Sequence, residues 1–423
     1  LSLVGSEMCI RDRRRRQVMA DHVINEAKRC LNCKKPMCRT GCPINTPIPQ
    51  MIHEFLNGGI TEAGKMVFEN NPLSIICSLV CDHEAQCEGH CIRGIKESPV
   101  HISSIENYIS SNYFDKMEIV RDPLKNKKAA VIGSGPAGIT IATILAKRGY
   151  DVTVFESREN IGGVLRYGIP EFRLPKSILD NYRKKLYKLG VRFRPNTTIG
   201  GAISVDDLFR DGYLAVFIGT GVWRPNSLNI KGESLGNVHF AIDYLVNPDS
   251  YDLGEKVAII GAGNSAMDVA RTALRKGARE VTVYTHSEKV RASVREVEYA
   301  QIDGVNFEYC KSPVELTDKG PIFADIIINE DGEKMVQAGT EKLYPADTTF
   351  IAVSQGPKDK IVSTTQGIDV NQRGLITVDE NGKTTRNGIF AAGDVVNGAK
   401  TVVEAVKFSK AVADAMDEYM QTL

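Results

Sequence analysis

Two glycine-rich stretches, VIGSGPAG (Val131–Gly138) and IIGAGNSAMDVA (Ile259–Ala270), decide the fold of this 423-residue chain. Each stretch joins a short apolar strand to a helix, and a second apolar strand follows the helix. A glycine-rich turn in this context is typical of a dinucleotide-binding βαβ unit, in which the helix N-terminus faces a pyrophosphate. The chain is therefore predicted to contain two such units, each with an open parallel sheet.

The first turn has the glycine spacing of a pyrophosphate site. Gly133 permits a tight bend, Gly135 lets a phosphate approach the backbone, and Gly138 lets the helix pack closely against the sheet. The predicted cofactor-binding residues of the turn are Gly133, Gly135, Pro136, Ala137 and Gly138. The next strand ends at Glu156, 23 positions after Gly133, where a carboxylate can accept hydrogen bonds from the ribose hydroxyls of an adenosine.

The second turn differs from the first in ways that favour NADPH over NADH. Ala266 replaces the third glycine after Gly261 and Gly263, a substitution that tends to accompany NADP. The following strand ends in YTH (284–286), so no carboxylate is placed to bind the 2′-hydroxyl of NAD. The basic side chains that could instead meet a 2′-phosphate are His286, Lys289 and Arg291. A solvated basic loop is the alternative, above all for Lys289.

A third stretch, NGIFAAGDVV (387–396), which follows the two dinucleotide-binding units, indicates that the first cofactor is FAD. Its strand ends in Gly393-Asp394, which can place a carboxylate against polyol hydroxyls. Two dinucleotide domains would then bring NAD(P)H to a flavin, and hydride transfer requires only that the two rings be stacked. No catalytic acid or base is therefore predicted.

The cysteines are concentrated in one region: eight of the ten lie between Cys30 and Cys91. They form two quartets, Cys30-x2-Cys33-x4-Cys38-x3-Cys42 and Cys77-x3-Cys81-x5-Cys87-x3-Cys91. The first quartet resembles the ferredoxin pattern, whose final Cys-Pro commonly ligates a different cluster from its neighbours. Zinc modules usually pair two Cys-x2-Cys units, and only one occurs here. Two [4Fe–4S] clusters are predicted, with zinc or thiol chemistry as the alternatives.

The composition limits the classes of function. The formal net charge is +1, with 42% hydrophobic and 25% charged residues, as in ordinary globular proteins. Proteins that bind nucleic acid or anionic membranes usually carry a basic excess, so neither partner is expected. No run of 18 apolar residues occurs, so no membrane span is predicted. Cysteines grouped as ligands rather than distributed as disulfides indicate a cytoplasmic protein.

The N-terminal stretch LSLVGSEMCIRDRRRR resembles translated sequencing adapter. Residues 1–18, including Cys9, are therefore expected to lie outside the fold, with Met19 as the start. A basic arm for an acidic partner is the alternative.

The rest of the chain is predicted to have the α/β fold class. The predicted domains are a helical, ferredoxin-like di-cluster domain at 19–123, an FAD-binding Rossmann-like domain formed by 124–245 and 345–423, and an NAD(P)-binding Rossmann-like domain inserted at 246–344. Within this scheme, Thr348–Val353 and Gly388–Ala392 are predicted to rejoin the first sheet.

Several motifs together resemble a known family. Besides the two quartets, GSGPAG and GAGNSAMDVA, these are GGVLRYGIPEFRLPK (Gly162–Lys176) and AAGDVVNGAKTVVEAV (Ala391–Val406). Residues 20–420 look like the small subunit of bacterial NADPH-dependent glutamate synthase. They look equally like the flavin subunit of NAD-dependent dihydropyrimidine dehydrogenase and the N-terminal half of the mammalian enzyme. Thr285-His286-Ser287 departs from glutamate synthase small subunits, which usually have paired arginines there.

The resemblance implies interleaved cluster ligands and a set of cofactor contacts. One cluster would be held by Cys30, Cys33, Cys38 and Cys91, and the other by Cys42, Cys81, Cys87 and Glu106. Cys77 would not be a ligand. In the alternative, Cys77 completes the second cluster in place of Glu106. The implied flavin contacts are Gly163, Leu165, Arg173 and the segment from Asp394 to Thr401. The implied nicotinamide-side contacts are Gly263, Asn264, Ser265 and the turn Ser354-Gln355-Gly356.

These observations predict an electron-input oxidoreductase subunit. Hydride would pass from NAD(P)H to FAD, and electrons would leave through the two clusters to a large catalytic subunit, of the glutamate synthase type or, alternatively, of the dihydropyrimidine dehydrogenase type. A disulfide reductase is disfavoured because GGVLRYG (162–168) has no cysteine pair. A zinc-ordered, flavin-binding interaction module without turnover is the alternative of another class.

Overall fold

The computed structural model describes residues 21–117, 120–329 and 333–423. The expected tail, residues 1–18 with Cys9, lies outside the described residues. The chain divides into two compact units, Leu1–Val120 with Thr401–Lys407 and Arg121–Lys400 with Phe408–Leu423. In the described ranges, no helix has both the length and the apolar character needed to cross a membrane.

The regular structure described in the first unit is helical. Its α-helices are α1 (21–28), α2 (Met37–Gly41), α3 (Ile48–Leu56), α4 (Ile60–Asn70), α5 (Ser74–Val80) and α6 (Ile102–Lys116), and a 3-10 helix spans Ile92–Ile95. Helix α3 is amphipathic, with Ile48, Met51, Ile52 and Phe55 buried on one face. This face packs with α6 in the core of the unit, which also contains Cys87. The prediction of a helical cysteine-bearing domain is confirmed.

The second unit contains a five-stranded parallel sheet in the order β16-β4-β1-β2-β3. Its strands are β1 (Lys128–Ile132), β2 (Asp151–Phe155), β3 (Arg192–Arg194), β4 (Tyr213–Ile218) and β16 (Ile389–Ala391). The first glycine turn joins β1 to α7 (Pro136–Lys147). This helix is apolar on most sides and is almost entirely buried, as expected where a helix covers a parallel sheet.

A second parallel sheet has the order β6-β14-β7-β8-β9. Its strands are β6 (Val238–Phe240), β7 (Lys256–Ile260), β8 (Glu280–Tyr284), β9 (Asn306–Glu308) and β14 (Thr348–Ile351). The second glycine turn joins β7 to α12 (Asn264–Arg275). Both Rossmann-like βαβ units predicted from the sequence are thus present.

The prediction that Thr348–Val353 rejoins the first sheet is wrong. Strand β14 pairs with β6 and β7 of the second sheet, and the chain returns to the first sheet only at β16. A strand that is buried on both faces, as β14 is, can belong to either parallel sheet, so its residues do not say which sheet it joins. Strand β6 also lies outside the predicted insertion at 246–344, and the division into FAD and NAD(P) domains remains a prediction.

The remaining elements connect or extend these sheets. An antiparallel sheet contains β10 (Lys311–Thr317), β11 (Gly320–Ile328), β12 (Lys334–Val336) and β13 (Lys342–Leu343), and β5 (Arg224–Pro225) pairs with β15 (Gln355–Gly356). The other helices are α8 (Val164–Tyr167), α9 (Lys176–Lys188), α10 (Val205–Arg210), α11 (Ala241–Val246), α13 (Val294–Asp303), α14 (Lys360–Ser363), α15 (Asp394–Asn397), α16 (Val402–Gln421) and a 3-10 turn at Pro248–Ser250.

Candidate functional site

The four cysteines predicted to hold the first cluster line a single pocket in the first unit. They are Cys30, Cys33, Cys38 and Cys91. The other walls are mostly apolar, with Ile48 and Ile52 from α3 and Ile102 from α6. Arg93 Nη1 donates a hydrogen bond of 2.9 Å to the Arg29 carbonyl oxygen, which ties the segment after Cys91 to the segment before Cys30. Residues far apart in sequence therefore supply one thiol-lined cavity.

The second group of predicted ligands also comes together. Burial and the nearby Glu106 carboxylate raise the pKa of the Cys87 thiol, and Cys42 adds to this effect. The pKa of Cys81 is raised by a hydrogen bond with Cys77 and by burial, with Glu106 and Cys87 contributing. Glu106 and Cys77 thus both lie beside Cys81, so the choice between them as the fourth ligand remains a prediction.

Glu106 is unusually placed for a carboxyl group. It lies on α6 with only 7% of its surface exposed, and burial raises its pKa to about 8, with Glu88 adding to the rise. Glu88 accepts a hydrogen bond of 2.8 Å from Ser103 N in the first turn of the same helix. A buried carboxylate and buried thiolates repel one another unless a cation neutralises them, so this donor set fits a positively charged metal centre.

Two kinds of metal centre commonly use thiolate ligands, structural zinc and iron–sulfur clusters. A structural zinc needs four ligands within about 2.3 Å of one point. Within the described ranges, no three His, Cys, Asp or Glu side chains lie close enough together to hold one ion. Thiolates are also the common ligands of iron–sulfur clusters, which span a larger volume.

The first glycine turn has the geometry of a phosphate site. Gly133 has a φ of +94°, and a Cβ there would collide with the carbonyl oxygen of Gly219. A Cβ on Gly138 would collide with the carbonyl oxygen of Gly133, so α7 approaches the sheet as closely as the motif predicts. No side chain caps the N-terminus of α7 at Gly135, and its first N–H groups are available to a diphosphate.

Glu156 holds the turn and the end of β2 together. Its Oε2 accepts hydrogen bonds from Ser134 N (2.9 Å) and Ser134 Oγ (2.5 Å). Its Oε1 accepts from Arg158 N (2.9 Å) and Ser157 Oγ (3.2 Å). These four bonds use the acceptor sites of a carboxylate, so a ribose would have to displace one of them. Contact with the ribose remains a prediction.

The other predicted flavin residues are distributed as follows. Gly163 has a φ of +52° and packs against Gly135, and Leu165 is fully buried just behind it. Gly393 precedes α15, and Asp394 Oδ1 accepts a hydrogen bond of 3.2 Å from Lys400 N. Thr401 Oγ1 donates a hydrogen bond of 2.6 Å to Glu404. Gly163 thus adjoins the phosphate turn.

Arg173 occupies a different environment from the one expected. Its Nη1 donates hydrogen bonds of 2.9 and 2.7 Å to the two carboxylate oxygens of Asp268, and its Nε lies 2.9 Å from Glu296 Oε1. Asp268 lies on α12 and Glu296 on α13, which flank the second sheet, and all three side chains are nearly buried. These partners engage the guanidinium, and a contact with the flavin diphosphate remains a prediction.

The second glycine turn is open to a ligand. A Cβ built on Gly263 meets no atom within 4 Å, and no side chain caps the N-terminus of α12. Asn264 Oδ1 accepts a hydrogen bond of 2.9 Å from Ser293 N, which fastens the loop between β8 and α13 to the turn. Ala266 is fully buried, as the close-packed third position of the motif requires. Ser265 follows Asn264 in the first turn of the helix.

Basic side chains gather after β8, beside this turn. Arg291 N donates a hydrogen bond of 3.0 Å to the Ala262 carbonyl oxygen, and Arg291 Nη2 lies 3.4 Å from His286 Nε2. Burial lowers the pKa of His286, and the neighbouring charges of Lys334 and Arg291 lower it further. Lys334 Nζ donates a hydrogen bond of 2.9 Å to Ser287 Oγ. Three positive or potentially positive groups therefore lie together.

The predicted nicotinamide-side turn is conformationally unusual. Ser354 has a φ of +70°, which few residues other than glycine adopt. Its carbonyl oxygen accepts a hydrogen bond of 3.2 Å from Asn226 N, and Gln355–Gly356 pair with Arg224–Pro225. Outliers of this kind are concentrated at binding sites, where the surrounding structure maintains them.

Comparison with known proteins adds to this geometry. Residues 11–118 match the family model described as dihydropyrimidine dehydrogenase domain II, 4Fe-4S cluster. Residues 131–176 match an NAD(P)-binding Rossmann-like domain, and residues 204–408 match a pyridine nucleotide-disulphide oxidoreductase.

Two curated relatives are similar over nearly their whole length. The glutamate synthase [NADPH] small chain of Halomonas elongata is 32% identical, covering 93% of this chain and 90% of the relative. The NAD-dependent dihydropyrimidine dehydrogenase subunit PreT of Escherichia coli is 32% identical, covering 94% of both chains. The chain belongs to the family of glutamate synthase small chains and dihydropyrimidine dehydrogenase flavin subunits.

Membership of this family makes the chain an NAD(P)H-dependent oxidoreductase with FAD and [4Fe–4S] clusters as cofactors. The fold agrees with that of Mycobacterium tuberculosis FprA in complex with NADPH, with a TM-score of 0.60 and 20% identity over 70% of this chain and 85% of the other. The assignment of single residues to these cofactors remains a proposal.

Sequence reasoning missed three residues of these sites. Asp268 lies inside the quoted motif GAGNSAMDVA, but a polar residue on a helix gives no sign that it will be buried against an arginine. Nothing in the sequence around Glu296 indicates that its side chain will be buried beside Arg173. Lys334 is distant in sequence from His286 and lies on a short exposed strand, so only the fold brings it to the basic group.

Proposed function

We propose that this family member is the electron-input subunit of a larger enzyme, taking hydride from NADPH and passing electrons to a catalytic partner subunit. When bound, FAD accepts a hydride and the iron–sulfur clusters carry electrons one at a time. The glycine turn at Gly133–Gly138 would hold the FAD diphosphate, and the turn at Gly261–Ala266 would hold that of NADPH. The protein's contribution is therefore binding, orientation and electrostatics.

The observation that carries this proposal is the meeting of Cys30, Cys33, Cys38 and Cys91 in one largely apolar pocket. Thiols from both quartets contribute to it, as interleaved cluster ligation requires. Cys42, Cys81, Cys87 and Glu106 would hold the second cluster. Burial raises the pKa of Cys87 and Glu106, and a hydrogen bond with Cys77 together with burial raises that of Cys81, so their deprotonated forms need a compensating cation.

The choice of NADPH rests on the basic group beside the second turn. A 2′-phosphate carries a negative charge that Arg291 and Lys334 can bind, with His286 as a further donor. This group favours a partner of the glutamate synthase large-subunit type, because the small chains of that enzyme are named for NADPH. The cytoplasm is the proposed compartment, since cluster ligands require reduced thiols.

Anaerobic titration tests the proposed function directly. Purified protein should contain iron and FAD, should absorb near 400 nm, and should lose its flavin absorbance on addition of NADPH. It should then reduce ferricyanide with continued NADPH consumption. A colourless protein that contains zinc and no iron would instead identify a zinc-ordered binding module. Faster reduction by NADH than by NADPH would favour the dihydropyrimidine dehydrogenase type.

Arg291→Ala is expected to raise the KM for NADPH about 30-fold and leave the KM for NADH unchanged. A lost charge-assisted hydrogen bond to the phosphate costs about 2 kcal/mol, and each 1.4 kcal/mol is about tenfold. Steady-state ferricyanide reduction with each nucleotide measures the two constants. Arg279→Ala, which removes an exposed arginine that precedes β8 and pairs with Glu255, is the matched control and should affect neither. An equal loss with NADH would contradict the assignment of Arg291 to the 2′-phosphate.

A further inference from the structure

Exposed apolar side chains lie on the two segments that carry Cys30, Cys33, Cys38 and Cys91. They are Leu31 (59% exposed), Met37 (51%), Ile92 (50%) and Ile95 (78%). Leu31, Met37 and Ile92 line the pocket itself. Single exposed apolar residues are common on protein surfaces, whereas several around one pocket are typical of an interaction site.

Hydrogen bonds join the two segments that carry these side chains. Arg29 Nη2 donates to the Ser98 carbonyl oxygen (2.5 Å) and to Ser98 Oγ (3.0 Å). The bond from Arg93 to the Arg29 carbonyl oxygen joins the same two segments. Residues 29–38 and 91–98 therefore form one fixed surface rather than two independent loops, which reduces the entropy lost when a partner binds.

This surface is basic at its edge. Lys34, Lys35, Arg39 and Lys96 are exposed neighbours, in sequence, of the apolar residues. No ion pair engages any of these four within the described part of the chain. The acidic residues nearby are neutralised, because Glu97 pairs with Arg93 at 2.6 Å and Glu26 pairs with Arg29 at 2.6 Å. The surface thus presents an apolar centre and an unpaired positive rim.

The two cysteine groups differ in their surroundings. Cys42, Cys77 and Cys81 pack with Ile44, Val402 and Val403. The two valines directly follow Thr401, the last residue of the predicted flavin segment. The first group has exposed side chains at the mouth of its pocket instead. A partner protein can therefore approach the first group through the mouth of its pocket.

We propose that electrons leave the chain at this surface, and that its occupant is an electron-accepting protein with an apolar contact centre and an acidic rim. The surface consists of Leu31, Met37, Ile92 and Ile95 with Lys34, Lys35, Arg39 and Lys96. The inference rests on the proposed function. Electron transfer needs the acceptor centre close to the donor, so the partner must cover the mouth of the pocket, and opposite charges would steer it there.

Rubredoxin, a small acidic one-electron carrier, is the probe for this surface. One NADPH reduces two oxidised rubredoxins, giving NADP⁺, one proton and two reduced rubredoxins. The variant is Lys34→Glu/Lys35→Glu/Lys96→Glu. The matched control, Lys65→Glu/Lys184→Glu/Lys188→Glu, makes the same change in net charge at exposed lysines elsewhere. Rubredoxin binding is measured calorimetrically without NADPH, and reduction is measured at low and high salt. Iron content is compared in every protein.

The wild-type protein and the control should reduce rubredoxin at a rate that falls as salt rises. At low salt the surface variant should reduce rubredoxin at least about tenfold more slowly than the wild-type protein. It should also bind rubredoxin more weakly and reduce ferricyanide at the wild-type rate. It should also reduce cytochrome c, a basic carrier, faster than the wild-type protein. Ile95→Ser, which leaves the charge of the surface unchanged, should weaken rubredoxin binding by removing apolar contact.

Three results would overturn the proposed surface while the proposed function stands. In the first, the surface variant binds and reduces rubredoxin as well as the wild-type protein does. In the second, the control variant loses as much rubredoxin binding and reduction as the surface variant. In the third, the wild-type protein reduces ferricyanide but does not bind rubredoxin. If the wild-type protein with NADPH reduces neither ferricyanide nor its own flavin, the proposed function itself fails.

Discussion

Cys38→Ala is expected to leave reduction of the bound flavin by NADPH at the wild-type rate and to lower electron delivery to a protein acceptor to background. Cys38 lines the pocket of the first cysteine group and belongs to neither glycine turn. Its loss should remove one cluster and therefore the exit from the flavin, but not the entry of hydride. Stopped-flow absorbance at 450 nm measures flavin reduction. The rate of acceptor reduction measures electron delivery, and iron analysis measures the loss of the cluster.

Cys77→Ser is the matched control for this variant. Cys77 is 3% exposed and packs with Ile44 and Val403, and the family resemblance makes it spare. Both clusters should survive its replacement, whereas Glu106→Ala should lose the second one. Iron loss in Cys77→Ser with retention in Glu106→Ala would reverse the assignment of the eighth ligand. Slow flavin reduction in folded, FAD-loaded Cys38→Ala would contradict the order of the cofactors.

The parts of the fold that the sequence predicted correctly are those whose conformation is determined by residues within one short segment. A tight turn, a pyrophosphate approach and a close helix–sheet packing each require glycine at one position, so the turns at Gly133 and Gly261 could be located without a structure. The cysteine pocket was predictable because few chemistries need so many thiols together. Its ligand grouping came from family resemblance, and the pocket brings the same four thiols together.

The parts that could not be predicted depend on contacts between distant segments. Strand β14 (Thr-Thr-Phe-Ile) is buried on both faces, and nothing in its residues distinguishes one parallel sheet from the other. Arg173 lies inside the motif GGVLRYGIPEFRLPK (Gly162–Lys176), from which a flavin contact was predicted, yet its charge is matched by Asp268 and Glu296 on two later helices. Lys334 lies on β12, and only the folding of the antiparallel sheet that contains β12 brings it to the basic group.

Arg173→Met is expected to lower the free energy of unfolding by about 3 kcal/mol at pH 8, since it leaves the buried charge of Asp268 without its ion-pair partner. Arg173 donates hydrogen bonds to both carboxylate oxygens of Asp268, whereas Glu296 keeps a second partner, Arg271, whose Nη1 lies 3.0 Å from Glu296 Oε2. Urea unfolding of the holoprotein, followed by flavin fluorescence, measures the loss.

The pH dependence of this loss has a definite sign. Burial raises the pKa of Asp268 from its ordinary 3.8 to about 6, against the opposing effect of Arg173, with Glu296 raising it and Arg271 lowering it. Because the folded-state pKa exceeds the unfolded one, the contribution of Asp268 to stability is fully present below about pH 4 and decreases as pH rises through about 6. Without Arg173 the folded pKa rises further, so the deficit relative to the wild-type protein should grow from pH 6 to pH 8.

Two further variants separate this buried pair from ordinary surface charge. Arg192→Met breaks a 2.7 Å pair with Asp151 whose side chains are 57% and 31% exposed, and it should cost under about 1 kcal/mol. Arg173→Met/Asp268→Asn removes both buried charges and should recover most of the lost stability. A deficit in Arg173→Met that is small and constant from pH 6 to pH 8 would mean that Asp268 is already neutral or reaches water. The network from Arg173 to α12 and α13 would then not be what stabilises this part of the protein.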